Sequence, residues 1–263
     1  MAKFCPLFSG SSGNCSYIGT ADGGILIDAG VSAKRIETAL RNREIDPCSI
    51  RAIFVTHEHS DHIAGIRILV KRYGYKVYGS AGTMEALLDN ECLTTLNNFE
   101  IMHVAPVEEA GIIVTTFATS HDSRQSSGYR VHTPDSRTMA VVTDTGYISG
   151  EVRAALCGCD LVLLESNYDP DMLRTGPYPY YLQKRIAAKT GHLSNAGCAK
   201  ELPALAESGT TRFFLGHLSK ENNHPPLAHR TALLALQKAG LQPNRDFLLN
   251  VAPRNDEAPV MTL

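Results

Sequence analysis

The stretch THEHSDH, residues 56–62, places four potential metal ligands within six consecutive positions. It continues the apolar run RAIFVT (51–56), which predicts a buried β-strand. His57 and His59 are two positions apart, so an extended segment points both side chains the same way. Asp61 and His62 fall where the chain turns into a predicted helix, and they can face a second direction. This spacing favours two adjacent metal ions over one.

Ligand chemistry narrows the kind of ion. Imidazole and carboxylate ligands together suit Zn²⁺ or Mn²⁺. We therefore predict two divalent metal ions per chain as cofactors. A surface loop that merely happens to be rich in histidine is the alternative, but the strand before it and the motifs after it argue against that interpretation.

Three further polar motifs follow apolar strands. His121 lies in TSHD, Asp144 in TDTG and His217 in LGHLS. Loops at one edge of a layered α/β fold gather functional residues, so we expect one site built from several loops. Taken singly, His121 and Asp144 could be turn residues. His192, in GHLSN, competes with His217 for the ligand role; we favour His217 because it follows an apolar strand, whereas His192 opens a helix.

Length and composition are those of an ordinary globular protein. The 263 residues suit one α/β domain, expected to span 1–263, and 43% are apolar and 20% charged. No apolar run reaches the roughly 18 residues of a membrane span, and the N-terminal residues lack a signal-peptide pattern, so we expect a cytoplasmic protein without membrane contact. Seven scattered cysteines argue against a disulfide framework. A net charge of -2 does not announce a nucleic-acid partner, although a local basic patch remains compatible with one.

Short apolar strands alternate with helical patterns along the whole chain. Strands are predicted at 3–10, 16–20, 23–30, 51–56, 112–119, 127–132, 138–143, 160–165, 211–216 and 246–251. Helices are predicted at 32–41, 63–73, 149–156, 179–189, 194–207 and 227–239. Early hairpins followed by mixed strands and helices favour two sheets flanked by helices.

These motifs resemble those of a known family. H-x-H-x-D-H after a strand is similar to the signature of the metallo-β-lactamase superfamily, and four other motifs follow its order between about residue 25 and residue 220. Asp28 in LIDAG resembles the aspartate of the first motif; His121, Asp144 and His217 match the later ones. The resemblance implies an α/β (α+β) fold, a four-layer αββα sandwich of two mixed β-sheets flanked by helices.

The resemblance also implies roles for the matching residues. One metal would be held by His57, His59 and His121. The second would be held by Asp61, His62 and His217, with Asp144 bridging the two ions. Asp28 would accept an N–H from a ligand histidine and fix the orientation of its ring.

Several local stretches look like one subfamily, the YycJ/WalJ-type exonucleases. They are FSGSSGN (8–14), ESNYD (165–169), YPYYLQKRI (178–186), GHLSN (191–195) and GHLSKENN (216–223). The resemblance implies a 5′→3′ DNA exonuclease, with DNA a better candidate substrate than RNA and no obligate protein partner inferable. A phosphodiesterase for small or cyclic nucleotides is the main alternative. A thioester or lactone hydrolase and a non-catalytic metal-binding module are weaker ones.

For the exonuclease, a hydroxide shared by two metals would attack phosphorus in line, opposite the 3′ oxygen. Asp61 or Asp144 would orient the hydroxide, and His192 would protonate the leaving group or clamp a phosphate oxygen. The substrate-binding candidates are Lys184, Arg185, Ser219 and Asn223. Basic residues beside tyrosines can follow a sugar-phosphate backbone and stack bases. A solvated charged face is the alternative, and an open basic groove would distinguish the exonuclease from an enzyme with a closed pocket.

Overall fold

The chain folds around two β-sheets that face each other across a shared apolar core. The structure, a computed structural model, describes residues 1–255 and 258–263. The first sheet holds β1 Lys3–Phe8, β2 Cys15–Gly19, β3 Gly24–Ile27, β4 Ile50–Phe54, β5 Lys76–Gly79, β6 Phe99–Ile101 and, from the C-terminus, β14 Met261–Thr262. The second holds β7 Val107–Glu109, β8 Ile112–Ala118, β9 Ser127–His132, β10 Thr138–Val142, β11 Leu161–Glu165, β12 Arg212–Gly216 and β13 Leu248–Val251.

Helices cover the outer faces of both sheets. They are α1 Ala33–Arg41, α2 Ser60–Ile63, α3 Ile66–Tyr73, α4 Ala81–Asp89, α5 Gly150–Leu156, α6 Pro170–Thr175, α7 Tyr180–Ile186, α8 Asn195–Glu207 and α9 Pro225–Lys238, with a 3₁₀ turn at Pro47–Ser49. Leu69 of α3 and Ile36 of α1 belong to the apolar cluster outside the first sheet. Leu202 of α8 and Leu236 of α9 belong to the cluster outside the second. The predicted four-layer αββα sandwich is confirmed.

The space between the sheets is filled by large apolar side chains from both. Phe54 of β4 stacks on Tyr78 at 4.8 Å between ring centroids and meets the edge of Tyr129 at 5.7 Å. Phe214 of β12 belongs to the same buried cluster. Burying aromatic rings of this size is a main source of stability, and it keeps the two sheets at a constant separation.

Strand direction explains where the functional loops lie. Strands β3 to β6 run parallel in the first sheet, in the order β14-β1-β2-β3-β4-β5-β6. Strands β10 to β13 run parallel in the second, in the order β13-β12-β11-β10-β9-β8-β7. Parallel neighbours end at the same edge of a sheet, so the loops after β3 and β4 and those after β10, β11 and β12 can meet.

The predicted elements are present, with shifted ends that have local causes. The strand expected over 23–30 ends at Ile27, because Asp28 has φ 61° and leaves the extended conformation. The helix expected over 63–73 is divided at Gly65, where a side chain would lie 2.6 Å from the carbonyl oxygen of Val31. The pattern missed β5 and α4, which are short and carry few periodic apolar positions. Among the described residues, no helix is long and apolar enough to cross a membrane.

Candidate metal centre

The segment after β4 is anchored before it reaches the first histidine. The backbone N–H of Thr56 donates to Asp28 Oδ1 at 2.8 Å, and the Thr56 hydroxyl also donates to this carboxylate. The chain then passes through His57 and His59 in an extended conformation, and α2 begins at Ser60. Asp61 and His62 therefore sit on the first turn of a helix, as the spacing predicted.

His57, His59 and His121 form a first cluster, whose ligand atoms all lie within 4.8 Å of one another. His121 Nδ1 lies 3.0 Å from the carbonyl oxygen of Gly191. Because a carbonyl only accepts, Nδ1 carries the proton, and Nε2 keeps its lone pair for the cluster, 3.2 Å from His59 Nδ1. Burial and the neighbouring His62 hold the pKa of His57 well below its usual range, which favours the neutral, ligating form of imidazole.

Asp61, His62 and His217 form a second cluster of the same dimensions. His62 Nδ1 lies 2.7 Å from Asp28 Oδ2, so this carboxylate fixes the ring and leaves Nε2 facing the cluster. His62 Nε2 is 3.5 Å from Asp61 Oδ2, and His217 Nε2 is 3.8 Å from the same oxygen. Asp28 thus occupies the supporting position that the resemblance implied.

Asp144 lies between the two clusters and turns a different oxygen to each. Oδ1 is 3.7 Å from His121 Nε2 in the first cluster and 3.4 Å from His192 Nδ1. Oδ2 is 3.0 Å from His62 Nε2 and 2.7 Å from His217 Nδ1 in the second. Burial opposes ionisation of this carboxyl, but the positive His217 and His62 outweigh it and hold the pKa of Asp144 well below its usual range.

Unpaired buried atoms show that these residues fit divalent metal ions. In the described part of the chain, His57 Nε2, Asp144 Oδ2 and His217 Nδ1 are buried and make no hydrogen bond. The last two are only 2.7 Å apart, yet they are not aligned to share a proton. Buried polar atoms are ordinarily paired, and nitrogen and oxygen lone pairs that converge in this way are those a divalent cation satisfies.

Three of the residues that support the centre have left-handed backbones. Asp28 has φ 61°, Asp144 φ 55° and His217 φ 54°. Each follows closely on a strand, β3, β10 or β12 respectively. Non-glycine residues in this conformation store strain and concentrate at functional sites, where they turn the chain sharply enough to aim a side chain.

Glu165, the last residue of β11, is a member of the centre that sequence reasoning missed. It is fully buried, and its Oε1 lies 2.7 Å from His192 Nδ1. Its Oε2 accepts the backbone N–H groups of Thr145, at 2.8 Å, and Leu193, at 3.1 Å. Glu165 therefore ties the Asp144 loop to the His192 loop. The signal was a carboxylate closing the apolar run LVLLE, a pattern that a buried strand does not require.

Asn14 was missed as well. Its Nδ2 lies 3.1 Å from His62 Nε2 and 3.4 Å from Asp61 Oδ2. The carbonyl oxygen of Asp61 also accepts the Asn14 backbone N–H at 2.8 Å. The turn before β2 thus supports the second cluster. Gly30 permits this approach, since a side chain there would lie 1.7 Å from the carbonyl oxygen of Asp61.

Two residues expected at the substrate are placed differently. Asn223 is buried, and its Nδ2 donates to the carbonyl oxygens of Ser166 and Asn167. Ser219 is also buried, and its hydroxyl accepts the backbone N–H of Asn222 at 3.2 Å. Their hydrogen-bonding capacity is used inside the protein, so we correct their expected role from substrate contact to holding the loop after His217.

Lys184 and Arg185 lie on α7 and are exposed. Lys184 Nζ sits 4.6 Å from the ring centroid of Tyr180, a cation–π contact. Arg185 Nε is 2.5 Å from Asp122 Oδ2, and Asp122 directly follows His121. The side chains of Tyr180 and Tyr181 are 69% and 74% exposed. A surface with basic and aromatic groups therefore begins beside the first cluster.

Comparison with known proteins agrees with this architecture. A family model described as "Beta-lactamase superfamily domain" matches residues 24–218. The metallo-β-lactamase fold protein YhfI from Bacillus subtilis superposes with a TM-score of 0.75 over 99% of this chain and 98% of its own, at 18% identity. The chain belongs to the metallo-β-lactamase superfamily.

Within that superfamily the similarity is more specific. The chain is 36% identical over 248 residues to the protein named Exodeoxyribonuclease WalJ of Streptococcus pneumoniae serotype 2, covering 93% of this chain and 92% of that one. It is 36% identical over 241 residues to Exodeoxyribonuclease YycJ of Bacillus anthracis, covering 90% of each. The resemblance to the YycJ/WalJ group is confirmed.

The choice of His217 over His192 as a ligand can be tested by metal content. Changing His217 to Ala should lower bound metal from about two to about one ion per chain, because the second cluster loses a donor. His192→Ala should keep both ions, since neither the first nor the second cluster contains it. Elemental analysis of Mn²⁺- or Zn²⁺-loaded protein, with circular dichroism as a fold control, measures both. Two ions in His217→Ala and one in His192→Ala would reverse the assignment.

Proposed function

We propose that this protein is a metal-dependent exonuclease that degrades DNA in the 5′→3′ direction. The observation that carries the proposal is Asp144, which turns one oxygen to each of two donor clusters. The two relatives at 36% identity are both named exodeoxyribonucleases and match nearly the whole chain. A centre able to hold two cations is suited to displacement at a phosphodiester.

The proposed ligands follow the two clusters. His57, His59 and His121 would hold one ion; Asp61, His62 and His217 would hold the other; Asp144 would contact both. The ions are two Zn²⁺ or Mn²⁺ per chain, because imidazole and carboxylate donors suit both metals. When bound, they would lower the pKa of a water molecule and neutralise charge on the phosphate.

The chain's own groups would position the reactants. Asp61 and Asp144 would accept hydrogen bonds from the attacking water and orient it towards phosphorus. His192 lies over the centre, 5.1 Å from His121 and 5.3 Å from His217 between ring centroids. Glu165 holds its Nδ1, which leaves Nε2 to donate a proton to the departing 3′ oxygen or to clamp a phosphate oxygen.

The surface of α7 favours a polymer over a small substrate. An enzyme for cyclic nucleotides needs an enclosing pocket, whereas two exposed tyrosines and two exposed cations beside the centre suit an extended strand. Single-stranded nucleic acids commonly bind through such combinations of stacking and charge. The small-nucleotide phosphodiesterase therefore ranks second, and no contact favours a thioester or lactone substrate.

Activity on a panel of substrates tests the function. With Mn²⁺ or Zn²⁺, the protein should shorten linear DNA labelled at its 3′ end, and cyclic dinucleotides and thioesters should turn over far more slowly. Asp144→Asn should retain less than about a tenth of the activity, because a neutral amide cannot serve two cations as a carboxylate does. Asp171→Asn, at an exposed carboxylate on α6, is the matched control and should be fully active. Faster turnover of a cyclic dinucleotide than of DNA would contradict the proposal.

The role of α7 calls for a separate comparison. A Lys184→Ala/Arg185→Ala variant should bind DNA more weakly and with a flatter salt dependence, because fewer counterions are released from phosphates. It should hydrolyse a small chromogenic phosphodiester at the unchanged rate, since that ester reaches the centre without touching α7.

The matched control is Lys238→Ala/Arg245→Ala, which removes two exposed cations from α9 and the loop before β13. Equal losses on DNA and on the small ester would make Lys184 and Arg185 supports of the metal centre. No loss on either substrate would make them part of a solvated surface, and the small-nucleotide reading would then gain.

A further inference from the structure

A second groove flanks the metal centre beside the second cluster. It encloses about 320 Å³ and lies where the ends of β1, β12 and β13 meet. Ser9, Leu218, Pro225 and Arg254 line it. This groove is separate from the α7 surface, whose contact with the centre runs through Asp122 and the first cluster.

One turn of the chain connects the groove to the metal centre. At its start, the Ser9 hydroxyl accepts the backbone N–H of His217 at 2.8 Å. At its end, Asn14 contacts His62 and Asp61. The turn Ser9–Asn14 therefore forms the wall between the groove and the second cluster, and a ligand in the groove lies next to the reacting centre.

The groove contains a cation with an unused donor. Arg254 Nη2 donates to the carbonyl oxygens of Leu218, at 3.4 Å, and Ser219, at 3.2 Å, the two residues that follow His217. Its Nε is buried and has no acceptor within the described ranges. Leaving a charged donor buried and unpaired is costly, so the position favours an anion that accepts from it.

The tip of the turn adds neutral donors. The N–H of Gly13 bonds to the carbonyl oxygen of Gly10 at 3.0 Å, which places Ser11 and Ser12 at the tip, where both are exposed. Their backbone N–H groups have no acceptor in residues 1–255 and 258–263. Successive free N–H groups in a turn, beside a guanidinium, form the kind of concavity that binds phosphate.

We infer that this groove binds the 5′-terminal phosphate of the DNA strand. The inference rests on the proposed exonuclease function and adds to it a site for the end of the substrate. With the terminal phosphate against Arg254, the next phosphate lies across the two clusters and the rest of the strand continues along α7. The two flanks differ in chemistry, an anion pocket on one side and a stacking surface on the other, so the strand enters in one direction only.

Oligonucleotides that differ only at the 5′ end test the inference. The unmodified protein should cleave a 5′-phosphorylated strand with a kcat/KM at least about tenfold above that of its 5′-hydroxyl counterpart, as expected for charge-assisted hydrogen bonds to one phosphate. Arg254→Gln should lose this preference while keeping its rate on the 5′-hydroxyl strand and on a small chromogenic phosphodiester. Arg254→Lys should keep part of the preference, and Arg245→Gln, at the other end of β13, should keep all of it.

The possible failures are distinguishable. Equal rates on both ends by an unmodified protein that degrades DNA would overturn the groove assignment and leave the exonuclease intact. Degradation of neither strand would contradict both. If Arg254→Gln slows every substrate equally, including the small ester, Arg254 supports the His217 loop and the assignment is wrong. If thymidine 5′-monophosphate inhibits the unmodified protein through Arg254 but the two ends react equally, the groove holds the released nucleotide instead of the strand end.

Discussion

Asp144 joins the two halves of the site, because its two oxygens face histidines from different sides of the fold. His62 comes from the loop after β4 in the first sheet, and His217 from the end of β12 in the second. Asp144 Oδ2 lies within 3.0 Å of a nitrogen in each of these rings. A buried carboxylate is stable only when cations or donors surround it, so the site requires both sheets to face each other at this edge.

The position of Asp144 is set in turn by its backbone and by Glu165. The left-handed conformation at φ 55° ends the strand direction of β10 and turns the carboxylate over the sheet edge. Glu165 then accepts the N–H of the following residue, Thr145, and binds His192 with its other oxygen. A carboxylate from β11 thus orients a loop after β10, through two strands that are parallel neighbours. The chemistry of the centre depends on this strand pairing as much as on the ligands themselves.

Sequence reasoning predicted what is encoded locally. The spacing of His57, His59, Asp61 and His62 follows from strand and helix geometry within seven residues, and the later motifs announce themselves by following apolar strands. Glu165 and Asn14 could not be predicted in the same way, because their roles arise from contacts between distant segments; Asn14 and His62 are 48 positions apart. Asn223 was assigned to the substrate from its nearness to His217 in sequence, whereas folding buries it under the loop carrying Ser166 and Asn167. The elements β5 and α4 were missed because short segments carry too little periodicity.

The most direct test of the two-cluster centre is the anomalous X-ray scattering of crystals grown with Mn²⁺. The account predicts two anomalous peaks per chain, one among His57, His59 and His121 and one among Asp61, His62 and His217, with Asp144 between them. A single peak enclosed by Asp144, Glu165, His192 and His217, which also lie close enough to share an ion, would contradict it.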